Sequence, residues 1–171
     1  MKALYTLATV ALLGCSEMAS SAGSARECDF DYGNLSSCAS DDYKVAIQSR
    51  RLAVDEIQLE SILVSYRGKQ QLLEISPDTS MLDGDKGVVL FDDINFDGIP
   101  DVAISTSFGL ANQYMDYWVF DKEKNQLSKV GNYVRFALHP SDKSLRNTVK
   151  DDAATYRDNA YIWRNGKLVK K

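Results

Sequence analysis

Four oxygen-bearing side chains, Asp93, Asn95, Asp97 and Asp101, stand at positions 1, 3, 5 and 9 of a short loop whose position 7 is Ile99. That spacing wraps carboxylate and amide oxygens, with the Ile99 carbonyl, around one hard cation, and Gly98 at position 6 permits the sharp turn. Calcium (Ca2+) is the expected ion, because it takes six to eight oxygens in a forgiving geometry, whereas magnesium keeps several waters. A complete twelve-residue calcium loop would close on a bidentate glutamate, but position 12 here is Ile104, inside an apolar run. The reading is therefore a staple that neutralises crowded carboxylates and fixes the segments on either side. The competing reading is a solvated turn rich in Asp and Asn.

Other catalytic constellations are weaker. The single histidine, His139, precedes Pro140 in an expected loop, and one histidine cannot be assembled with a particular Ser and Asp from sequence alone. No glycine-rich phosphate loop and no CxxC pair is present. The chain reads as a non-enzyme.

The elements that must position the acidic loop are strands. Residues 87–91 and 102–108 flank it as β-rich runs, and 43–48, 57–66, 70–75, 113–120, 127–130, 133–138 and 144–150 read as further strands. Residues 67–69 form a turn, 78–86 a loop and 121–126 a turn. The chain ends on a hairpin in which Asn165-Gly166 supplies the positive φ angles of a type I′ turn. Helix is conceivable only at 50–60. The expected fold is all-β, an antiparallel sandwich or incomplete propeller-like domain with one calcium loop between strands. No internal repeat supports a closed propeller of many blades.

The N-terminus reads as an export signal. An apolar run over 3–13 follows Lys2 and is shorter than the about 20 residues that span a bilayer. Leu12-Leu13-Gly14-Cys15 reads as a lipoprotein box, which makes 1–14 the cleaved signal, Cys15 the lipidated residue and 15–27 a flexible tether. The alternative is ordinary cleavage after Ala22 or Ala25. With Ser16 after a lipid-bearing Cys15, the expected address is the periplasm, on the outer membrane, with no other membrane contact. Cys28 and Cys38 then remain as an even pair, expected to form a disulfide in an oxidising compartment worth roughly 2 to 3 kcal/mol. Residues 28–171 suffice for a single domain, expected to be a monomer. The net charge is −4, which argues against nucleic acid and bulk anionic lipid as partners.

Beyond these readings, residues 87–170 resemble a family of periplasmic, often lipid-anchored calcium-loop proteins. Those proteins inhibit lysozyme-like cell-wall hydrolases and serve as immunity proteins for bacterium-killing secretion systems. The matching blocks are the loop from Phe91 to Val102, which is also similar to the calcium loops of integrin-type propeller blades; Ser105-Thr106-Ser107-Phe108-Gly109 with Asn112 and Tyr114; Asp116-Tyr117-Trp118-Val119-Phe120-Asp121; and Tyr156 with Tyr161-Ile162-Trp163-Arg164-Asn165-Gly166-Lys167-Leu168. The resemblance implies a muramidase toxin as partner, blocked by a protruding segment over 107–116. Tyr114 would be its anchor, with Phe108, Asn112, Gln113, Met115 and Tyr117 lining the contact. The plainer reading makes Tyr114 and Tyr117 ordinary strand aromatics. A different class of function, a calcium-stabilised glycan-binding or adhesion module, would instead show exposed aromatics in a shallow groove. Residues 26–86 carry no resemblance.

Overall fold

The structure, a computed structural model, describes residues 26–35, 37–108 and 112–171. The signal segment, Cys15 and the tether up to residue 25 lie outside the described residues. Within them the chain is all-β, with no helix. Strands β1 (Arg26–Asp31), β2 (Cys38–Ala39), β3 (Tyr43–Arg51), β4 (Glu56–Tyr66), β5 (Lys69–Glu74) and β6 (Ser80–Leu82) precede the acidic loop's own pair, β7 (Lys86–Asp92) and β8 (Asp101–Ser105). Then follow β9 (Tyr114–Asp121), β10 (Gln126–Val134), β11 (Ala137–His139), β12 (Ser144–Lys150), β13 (Tyr156–Arg164) and β14 (Lys167–Lys170).

These strands form three antiparallel sheets. The central one runs β1-β7-β8-β9-β10, one flanking sheet runs β2-β3-β4-β5 with β6 paired on β4, and the other runs β11-β12-β13-β14. Successive side chains of a strand point to opposite faces, and in the central sheet both faces are buried. Val89, Phe91, Val102, Ile104, Trp118 and Phe120 join Tyr43, Val45, Ile62 and Val64 of the first flanking sheet in one core. Val88, Leu90, Ala103, Met115 and Tyr117 join Phe136, Leu145, Tyr161 and Leu168 in a second. Hence β7 and β8 read as continuous apolar runs rather than alternating ones, since neither face meets water.

Several local expectations change. The 50–60 stretch is the end of β3, a turn and the start of β4, paired through a bulge between Gln48 and Ser49. The 78–86 loop contains β6, and His139 ends a strand instead of lying in a loop. The segments 127–130 and 133–138 become β10, bulged between Lys129 and Gly131, followed by β11. Gly131 takes φ 145° there, a backbone region that favours glycine. Residues 26 and 27 belong to β1, paired with Phe91 and Leu90, and not to a tether. The Asn165-Gly166 turn has φ 50° and 72°, as a type I′ hairpin requires. Cys28 and Cys38 form a disulfide that joins β1 to β2.

Candidate functional site

The acidic loop leaves β7 at Asp92 and enters β8 at Asp101, and its side chains fold back on its own amides. Asp93 accepts from the Asp97 N–H at 2.9 Å through one oxygen and from the Gly98 N–H at 2.8 Å through the other. Asn95 Oδ1 shares the Asp97 N–H at 3.0 Å, and Asp97 Oδ1 accepts from the Ile99 N–H at 2.9 Å. Such a path needs left-handed backbone, which Phe96 (φ 58°) and Gly98 (φ 85°) supply. Each oxygen commits one lone pair to an amide and keeps another.

Asp101 is the buried member, 1% exposed. Its carboxylate accepts from the Phe120 N–H at 2.8 Å and the Ile94 N–H at 3.0 Å. Burial pushes its pKa up to about 8; the Phe120 and Ile94 amides oppose that rise, and the charges of Asp93 and Asp97 add to it. Asp92 is also raised, first by burial. Lys122 donates to the Asp97 carbonyl at 3.1 Å and stands 3.6 Å from its carboxylate.

Among the described residues, no three His, Cys, Asp or Glu side chains form a group that could hold a metal on their own. The expected set itself contains three such side chains, Asp93, Asp97 and Asp101, and they are not drawn together into one of these groups; Asn95 and the Ile99 carbonyl would add neutral oxygens. In chemistry it is an all-oxygen set of the hard kind that suits calcium, and its buried member, Asp101, has no ion pair among the described residues.

Both flanking sheets reach this loop. From the first, the Tyr43 hydroxyl donates to the Pro100 carbonyl at 2.8 Å; from the other, Trp163 Nε1 donates to the Ile94 carbonyl at 2.7 Å.

The segment after β8 is braced on both legs. The Thr106 N–H donates to the Tyr114 carbonyl at 2.9 Å, and the Arg135 N–H to the Gln113 carbonyl at 2.8 Å. Gln113 Nε2 reaches Ser105 Oγ at 3.1 Å. Asn112 is bound in both directions to the Lys150 main chain, each bond 2.9 Å. Phe108 is half-buried, edge-on to Phe30 with ring centroids 6.0 Å apart.

Of the six expected contact residues, Tyr114 alone is exposed, at 37%. Met115 and Tyr117 are corrections: both are 0% exposed. The Tyr117 hydroxyl accepts from the Phe136 N–H at 3.0 Å and points to Met115 Sδ at 3.7 Å, so neither side chain can meet a partner. Asn112 and Gln113 spend their polar groups inside the protein. The sequence reading missed Glu27, Arg135 and Lys150, whose roles come from long-range pairing, and Asp116. That fully buried carboxylate accepts from Ser76, Lys129 and Asn132. Its only sequence signal is a charge inside an otherwise apolar strand.

No family model, curated protein or solved structure matches this chain.

Proposed function

We propose that this protein is an envelope-located, calcium-braced inhibitor of a lysozyme-like peptidoglycan hydrolase, acting as an immunity protein, and that Tyr114 is the side chain it presents to the enzyme. The observation that carries the reading is the setting of Tyr114. It is an exposed aromatic whose hydroxyl has no hydrogen bond among the described residues, mounted on a strand whose next four residues are buried. A rigid, amphipathic ring of this kind loses little entropy on docking and suits an interface anchor. Glycosidases of this class work with two carboxyl groups flanking the scissile bond, and a phenol O–H is a fitting donor to either.

Asp93, Asn95, Asp97, Asp101 and the Ile99 carbonyl would hold the calcium ion, which supplies positive charge to a crowded acidic loop and no chemistry of its own. The disulfide supports an oxidising compartment, in line with the export signal and with lipidation of Cys15. The glycan-module reading has less support. The cleft between the β4–β5 and β9–β10 hairpins has Tyr66 and Phe120 in its lining, yet both rings are buried, at 8% and 7% exposure, and offer little stacking face to a sugar.

The test is the clearing of a peptidoglycan suspension by a panel of muramidases with this protein added. The expected result is protection against at least one enzyme, lost in Tyr114→Ala with the melting temperature unchanged. Protection retained by Tyr114→Ala would remove the anchor, and no protection against any enzyme would end the inhibitor reading.

A further inference from the structure

The two legs of the segment that ends at Tyr114 are held by the same short strand, β1. On the first leg, Phe108 packs against Phe30, and both rings close over Gly87, where a Cβ would come within 2.5 Å of Phe30 and 2.8 Å of Phe108. On the second leg, Arg135 accompanies Gln113: its N–H donates to the Gln113 carbonyl, and its guanidinium grips both oxygens of Glu27, at 3.2 and 2.6 Å. Glu27 and Phe30 bracket Cys28, whose disulfide to Cys38 ties β1 to the neighbouring sheet. Without that bond β1 is a six-residue edge strand whose one partner strand among the described residues is β7, and an edge element of this kind belongs to the first parts of a fold to open.

We infer that β1 is the positioning strand of the binding segment, with Glu27 and Phe30 as its positioning residues, and that the Cys28–Cys38 disulfide makes partner binding conditional on oxidation. The second half of this inference rests on the inhibitor reading above. Forming the bond takes two protons and two electrons from the two thiols. Thiol–disulfide exchange passes them to the disulfide of an envelope oxidant, which becomes a dithiol. The chain therefore gains its binding geometry only after it reaches an oxidising compartment, and a reduced copy carries the same Tyr114 on a loosened mount.

The experiment is site-resolved amide hydrogen exchange at Thr106 and Arg135, whose N–H groups bond to Tyr114 and Gln113, run beside the peptidoglycan-clearing assay. The samples are the oxidised protein, the protein in dithiothreitol, Cys28→Ser/Cys38→Ser, Glu27→Gln and, as a remote charge control, Glu123→Gln. Reduction is expected to speed exchange at both amides on the order of tenfold and to weaken inhibition, with exchange in β12 and β13 unchanged. Glu27→Gln keeps the disulfide and a partly exposed site, so it tests the clamp even if the double cysteine variant fails to fold. It should speed Arg135 exchange about threefold, with Glu123→Gln at wild-type rates. Unchanged exchange at both amides in dithiothreitol and in Glu27→Gln would overturn the positioning role, and full inhibition by the reduced protein would overturn the oxidation dependence. Faster exchange in a protein that, oxidised, inhibits no enzyme would uphold the positioning role and defeat the inhibitor reading, with the oxidation dependence falling alongside it.

Discussion

Asp101 has two duties that conflict in water-free surroundings: it accepts main-chain amides from β9 and from the acidic loop, and it sits beside two further carboxylates. Asp101→Asn keeps one acceptor and turns an amide donor toward the other N–H. The expected cost is about 1 to 3 kcal/mol in urea unfolding, and on the calcium proposal the variant should show no rise in melting temperature when calcium is added. In chelator the same carboxyl makes stability fall with pH. Its folded pKa, about 8, lies above the ordinary aspartate value of 3.8, so between these values the native state holds the proton that the unfolded state has released. Metal-free protein should thus melt lower at pH 8 than at pH 5, and saturating calcium should flatten the slope. The two tyrosines separate by burial: Tyr117→Ala is expected to lose about 3 to 5 kcal/mol, against about 1 kcal/mol or less for Tyr114→Ala. The turned acidic loop was legible because Asp93, Asn95, Asp97 and Asp101 lie within nine consecutive residues. The burial of Met115 and Tyr117 was not, because the resemblance that placed them in the contact says nothing of the layers that cover β9 on both faces.

At the scale of elements, turn chemistry was readable wherever it is local. Asn165-Gly166 and Arg67-Gly68 both adopt the paired positive φ angles of tight hairpins. Less visible were β6, too short to show a period, and β10, whose bulge at Gly131 splits one strand into two apparent runs. The strand-end glycine of β7 has a plain steric role. Gly87→Ala would drive a methyl group into the rings of Phe30 and Phe108, and denaturant unfolding should register a loss of about 1 to 3 kcal/mol. The same variant should widen the exchange difference between Thr106 and the core amides of β8.

For the whole molecule, the all-β class followed from composition and turn spacing, whereas the arrangement of three layers did not. The pairing of β1 with β7 joins segments far apart in sequence, and only the burial of β7 and β8 on both faces hints that a sheet lies on each side. The acidic loop is where the layers meet: Tyr43 binds it from one flanking sheet, Trp163 from the other, and Phe120 from within the central sheet. An ion at this node should therefore steady all three layers together. The most direct measurement is titration calorimetry of metal-depleted protein with calcium, paired with thermal melting and with Asp93→Ala as the reference. The account expects one ion bound per chain, about 2.7 kcal/mol of added stability at a calcium concentration one hundred times Kd, and neither effect in Asp93→Ala. No heat of binding and an unmoved melting temperature in the wild-type protein would contradict it.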